Sequence, residues 1–203
     1  MNISEPEAAP ASGPTDFELV ASVQGGEEAA FDILMGRYKR PVLSFVYRMT
    51  GEADASEDIA QEVFVRVYQH LGTYKPRGKF TTWLFQLAHN AAVDHLRWRK
   101  RHQTESLDDA GKTSWTAAAG PHDVVRDVTN VEIGEQVAAA VATLPDDQRT
   151  ALVLAEYQGL SYADIAATMN CTIKSVEARL YRAKLTLRER LHHLYEDARG
   201  ANQ

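Results

Sequence analysis

Apolar residues recur at the three- and four-residue spacing of a helix face through almost every segment of this chain. No stretch alternates as a half-buried strand does. The pattern lapses for long only between His102 and about Asn130, where Ser, Thr, Gly, Pro and acids mix without a period. This confines the 203-residue chain to an all-α class, with two small helical domains on a flexible linker. The expected division is a disordered leader over 1–15, a first domain over 16–102, a linker over 103–130, a second domain over 131–197 and a tail over 198–203.

In the first domain the spacing predicts helices over Asp16–Val23, closed by Gly25-Gly26, and over Glu27–Thr50, stopped by Gly51. Pro41 either kinks that second segment or begins a new helix. Asp54–Leu71 follows, with Asp54 and Glu57 at the spacing of a capping box. Asp58, Gln61 and Glu62 cluster near its start. Acids there suit the helix dipole, and they equally suit a basic protein partner. The loop GTYKPRGK carries Lys75, Arg77 and Lys79, either as phosphate contacts or as solvated cations.

The next stretch, FTTWLFQLAHNAAVDHLRWRKR, runs from Phe80 to Arg101. Phe80, Trp83, Leu84, Leu87, Ala88, Ala91 and Trp98 read as one apolar face. A second stripe, Gln86, Asn90, Asp94, Arg97 and Arg101, is polar and turns basic at its end beside Arg99 and Lys100. Amides pair with base edges and cations with phosphates, so this helix can read a nucleic acid. A core helix whose last-turn cations complement its dipole has the same pattern.

In the second domain Val131–Leu144 is helical, with Ile133, Val137 and Val141 inward. Pro145 then opens a helix to about Tyr157, and Gly159 ends it. Ser161 caps a short helix, with Asp164 three residues on; Asn170 and Cys171 form a turn; Thr172 caps a long helix to about Tyr195. Small Ala166 lets the last two helices cross closely. This is a helix-turn-helix. Ile173, Val176, Leu180, Ala183 and Leu187 face inward, while Lys174, Ser175, Ala178, Arg179 and Arg182 share an outward face suited to a major groove.

The formal charge of −6 argues against a free-standing nucleic-acid binder, so a DNA role needs local basic patches or a partner. Cys171 is the only cysteine, which rules out an intramolecular disulfide and fits a reducing cytoplasm. No run is apolar enough for membrane insertion, and no secretory signal precedes Asp16. There is no HExxH, no Walker A and no dinucleotide fingerprint. No catalytic residue, metal or cofactor is therefore expected, and the chain is read as not an enzyme.

Both halves resemble one family, the small alternative sigma subunits of bacterial RNA polymerase of the extracytoplasmic-function (ECF) type. DASEDIAQEVFVRVYQHL with FTTWLFQLAHNAAVDHLRWRKR looks like sigma region 2. LPDDQRTALVLAEYQGLSYADIAATMNCTIKSVEARLYRAKLTLRERL looks like region 4. The resemblance implies that Asp58, Gln61 and Glu62 bind the β′ coiled coil of RNA polymerase core, which joins the β subunit as partner. It implies that Lys79, Trp83, Gln86, Asn90, Asp94, Arg97, Arg99, Lys100 and Arg101 read and melt the so-called −10 element of promoter DNA. Asn90 takes the place that lines a pocket for a flipped base. Lys174, Ser175, Glu177, Ala178, Arg179 and Arg182 would read the −35 element; Glu177 departs from the basic residue that some members carry there. The linker would thread the polymerase, and in the cytoplasm region 2 and region 4 would pack together, or on an anti-sigma factor, until released. The competing reading is an autonomous helix-turn-helix regulator that dimerises through its N-terminal half and binds a palindrome without polymerase.

Overall fold

A computed structural model describes residues 13–75, 78–105 and 128–192. Among these every regular element is a helix. In chain order they are α1 (Asp16–Gln24), α2 (Glu28–Thr50), α3 (Ala53–Leu71), α4 (Phe80–Glu105), α5 (Val128–Ala142), α6 (Asp146–Glu156), α7 (Tyr162–Thr168) and α8 (Ile173–Arg190). The expected leader, most of the linker with Trp115, and the end of the chain lie outside the described residues. No described helix is long and apolar enough to cross a membrane.

The first four helices form one bundle. Phe45, Met49, Val63, Val67, Leu71, Leu84 and Ala88 are almost wholly removed from water at its centre. Burial of this kind stabilises by about 1.5–3 kcal/mol for each large apolar side chain. Pro41 lies inside α2, which runs on as one helix until Gly51 adopts the left-handed conformation at φ 76°. The capping box sits at α1, where Thr15 and Glu18 exchange side-chain and backbone bonds. The one expected at Asp54 and Glu57 is absent. Helix α3 begins a residue earlier, after an extended Glu52 whose carboxylate is drawn away to Arg99 and His95.

The second domain is α5 to α8. Ser161 accepts from the Asp164 amide and Thr172 from the Ser175 amide, so both caps stand as expected. Asn170 turns the chain between α7 and α8 in the left-handed region at φ 49°. Val176, Leu180 and Ala183 pack inward from α8 against Ile165 and Ala166 of α7. Arg149 is buried beneath α5, bonded to the Ala142 carbonyl and to Asp146.

Three residues assigned to inward faces stand out of the core. Ile133 is 42% exposed, Ile173 48% and Trp98 51%. Ile173 opens the first turn of α8, beside the turn of the motif. In α4 the inward line continues from Ala91 and Ala92 to Leu96. Trp98 comes two residues later, roughly 200° around the helix, so it points away.

The two domains pack against each other. Helix α4 meets α7, and α2 meets α5 and α6. Thr150 lies against Met49, and the Arg48 guanidinium sits 3.6 Å above the centre of the Tyr157 ring. Polar bonds close the seam. Lys79 Nζ donates to Asp164 Oδ2 at 2.8 Å and Thr82 Oγ1 to Asp164 Oδ1 at 3.2 Å. Lys100 Nζ donates to Asp146 Oδ2 at 2.8 Å.

Candidate polymerase and promoter interfaces

The outward face of α3 begins with Asp58, Gln61 and Glu62, all exposed. Glu62 pairs with Arg66 one turn on, at 2.6 Å. Val65 at 48% and Tyr68 at 59% exposure extend this face, and the Tyr68 ring meets Phe31 edge-on at 5.1 Å between centroids. An acidic start followed by exposed apolar side chains suits a basic, amphipathic helix from another protein. Sequence periodicity gave no sign of Val65 and Tyr68 as an exposed pair, because both are apolar residues on a helix whose other side is core.

At the start of α4, aromatic rings gather. Trp83 stacks on Tyr74 at 4.5 Å and lies 5.8 Å from Phe80, which also meets Tyr38 at 5.6 Å. Tyr74, in the loop before α4, was not among the expected site residues. Gln86 is partly buried, whereas Asn90, Asp94, Arg97 and Arg101 are exposed along one stripe, as the spacing requires. A cleft of about 280 Å³ at the domain seam is lined by Tyr38, Lys79, Phe85, Leu160 and Asp164, among others. Asn90 does not line it.

The cations expected to meet phosphate are largely engaged with carboxylates. Lys79 holds Asp164 and Lys100 holds Asp146. Arg179 holds Asp147 at 2.9 Å, and Arg97 lies 3.7 Å from Asp94. Arg99 turns back into its own bundle, to Glu52 and the Thr50 carbonyl, because it follows Leu96 on the inward side. Burial works against ionised Asp164, but the Lys79 bond, with help from Ser161 and Thr82, outweighs it and lowers its pKa. Glu52 is likewise held low, with burial opposed by Arg99 and then His95. His89, on α4, is driven toward its neutral form. Burial lowers its pKa, and the charges of Arg179 and Arg97 add to the shift.

On α8, Lys174, Glu177 and Arg182 are exposed, while Ser175, Ala178 and Arg179 are partly covered. Ser175 is tied to Thr172, hydroxyl to hydroxyl, at 2.9 Å. The N-terminal half of this helix therefore presents short polar side chains flanked by cations, a surface that can enter a major groove.

A helix-turn-helix domain joined to a helical bundle with its own polar and basic helix defines a two-part DNA-binding protein. Residues 34–102 match Sigma-70 region 2 and residues 134–187 match Sigma-70, region 4. The chain is 35% identical over 190 residues to the RNA polymerase sigma-H factor of Pseudomonas aeruginosa, covering 90% of this chain and 97% of that one. It is 34% identical over 174 residues to the ECF RNA polymerase sigma-E factor of Escherichia coli (strain K12), covering 84% and 91% respectively. The chain belongs to the sigma-70 family of RNA polymerase sigma factors, in its ECF branch. Its fold is shared with the sigma factor RpoE solved with the anti-sigma factor NepR from Bartonella quintana. The TM-score there is 0.67 at 23% identity, over 80% of this chain and 96% of that one. It is also shared with CnrH, solved with the cytosolic domain of CnrY, with a TM-score of 0.66 at 22% identity over 88% and 97%.

Proposed function

We propose that this chain joins RNA polymerase core through the α3 face and directs it to promoters with α4 and α8, and that the packed arrangement of its two domains is a stored form. The observation that carries this reading is the pairing of Lys79 and Lys100, on the region 2 reading helix and the loop before it, with Asp164 and Asp146 of region 4. Carboxylates stand there where DNA phosphates would stand, so promoter contact and domain closure compete for the same cations.

In this reading Asp58, Gln61 and Glu62 bind the polymerase β′ coiled coil, with Val65 and Tyr68 supplying the apolar remainder. Asn90 reads a flipped base of the −10 element, while Arg97 and Arg101 hold backbone. Lys174, Ser175, Glu177, Ala178, Arg179 and Arg182 read the −35 element. The chain is a binding subunit rather than a catalyst, and it works in the cytoplasm. An anti-sigma protein keeps the closed form closed; support comes from the fold shared with two chains solved in such complexes. Membership of the sigma family leaves the autonomous regulator without a specific observation in its favour.

A gel-shift on a candidate promoter, with and without core polymerase, tests the reading. Retardation should need core. Tight binding of a palindromic site by the isolated chain, with no effect of core, would overturn it.

A further inference from the structure

Gln24, the last residue of α1, reaches across to the end of α3. Its side-chain nitrogen donates to the Leu71 carbonyl at 2.9 Å and to the Tyr74 carbonyl at 2.8 Å. Both partners are acceptors, so the NH2 end of the amide faces them, with one N–H for each. Leu71 closes α3, and the last carbonyls of a helix find no partner within it. The turn that follows is tight. The Thr73 amide donates to the His70 carbonyl at 3.1 Å and the Tyr74 amide to the Leu71 carbonyl at 3.2 Å. Gln24 clasps this turn from outside, by bridging two of its carbonyls.

The bridged turn delivers Tyr74. Its ring stacks on Trp83 at 4.5 Å and 30° between planes, and meets Phe80 edge-on at 6.3 Å. Those two residues open α4, beside Lys79. A side chain's rotamer follows its own backbone, so turning the Tyr74 carbonyl away from Gln24 also takes the ring off Trp83. Close packing does not fix this spacing. A cleft of about 420 Å³ separates the start of α1 from the start of α4, lined by Phe17, Val20, Tyr74, Lys79 and Phe80, among others. Gln24 is itself exposed and adds little to the core. Helix α1 is held independently of it. Leu19 and Val20 are buried, and Asp16 bonds to Arg37 and Tyr38 at the other end. Helix α1 supplies none of the promoter-reading residues named above, yet through one amide it shapes the segment that leads into them.

We propose that Gln24 is a positioning residue for opening of the −10 element: by bridging the Leu71 and Tyr74 carbonyls it holds Tyr74 on Trp83, and so sets the surface that the start of α4 presents to DNA. This rests on the reading of α4 given above.

The test compares Gln24→Met and Gln24→Glu, which keep the length and remove both donors, with Gln24→Lys, which keeps donors. Each is assembled into holoenzyme with core polymerase, on a promoter selected from a random library. A fluorescent base analogue in the −10 element reports opening. Gln24→Met should reduce opening about fivefold, the scale of one net hydrogen bond. Gln24→Glu should fall at least as far, and Gln24→Lys should recover most of the loss. Core affinity and binding of unopened duplex should match wild type in all three. In the full chain labelled with fluorotryptophan, the Trp83 fluorine signal is identified by its loss in Trp83→Phe. That signal should shift in Gln24→Met and return toward the wild-type position in Gln24→Lys. Wild-type opening by Gln24→Met or Gln24→Glu would overturn the assignment. So would reduced opening with an unmoved Trp83 signal, or with an equal loss of core affinity, either of which would make Gln24 a general support of the bundle. Failure of wild-type holoenzyme to open the promoter would sink the promoter reading itself and this assignment with it.

Discussion

Lys79 and Asp164 meet across the seam between the two domains, Nζ to Oδ2 at 2.8 Å, although 85 residues separate them. Their exposures are unequal: 66% of the Lys79 side chain faces water but only 16% of Asp164. The pair therefore stands at the rim of a mostly covered contact, where Thr82 also donates to the same carboxylate. Rim ion pairs contribute about 0–1 kcal/mol, enough to bias a closed arrangement but not to lock it.

Lys79→Glu should shift the population toward an open form by up to about fivefold, as should Asp164→Lys. Exchanging both residues should restore closure. Energy transfer between dyes, one in each domain, reads this directly, and raising salt should move wild type in the same direction as either single change. Equal transfer in all variants would remove the pair from any role in closure.

Asn90→Ala should reduce promoter opening while core binding persists. Asp58→Arg combined with Glu62→Arg should abolish core binding and leave the fold intact, because both side chains are exposed. Run-off transcription together with core co-purification separates the two effects. Normal transcription from both variants would show that the contacts lie elsewhere.

His89 sets a pH dependence. Its pKa in the folded chain lies below the ordinary 6.5, first through burial and then through the charges of Arg179 and Arg97. The unfolded chain therefore takes up a proton before the folded one does. The stabilisation is complete above about 6.5 and drains away as pH falls toward the folded value. Melting temperature should fall between pH 7.5 and 5.5, and His89→Gln should flatten that fall. Asp164 and Glu52 have lowered values, so their contributions stay intact over this range and are lost only in more acid solution. An unaltered profile in the variant would assign the effect to another group.

Thr172→Ala removes the side-chain cap of α8 and should cost about 1 kcal/mol, with Thr172→Ser close to neutral. Thermal denaturation measures the loss. Binding to the −35 element should weaken alongside, because the capped turn presents Lys174 and Ser175.

The helices, the turn at Asn170 and the caps at Ser161 and Thr172 were legible because each rests on a local rule of spacing or backbone geometry. The outward stripe from Asn90 to Arg101 was legible for the same reason. What local rules missed depends on partners distant in sequence. Arg99 carries the same charge as Arg97, and nothing nearby announces that Glu52 will claim it. The missing cap at Asp54 has the same origin, since Glu52 was drawn to Arg99 and His95 and the helix start moved with it. Trp98 was misplaced because a long helix drifts around its axis, and seven apolar residues spread over five turns fit more than one face. Closure of the two domains left no mark in the periodicity, because it joins Lys79 to Asp164 and Lys100 to Asp146 across a stretch without period.

The carboxylates at the beginnings of α6 and α7 carry a thermodynamic signature as well as a geometric one. When a lysine that was already neutralised inside the protein moves onto a phosphate, the abandoned aspartate gathers cations from solution just as the DNA gives them up. The net yield of released ions is then smaller than a count of protein–phosphate contacts implies. Promoter affinity should consequently decline with salt along a shallower logarithmic slope than those contacts alone would dictate, and substituting Asp146 and Asp164 with asparagine should steepen it.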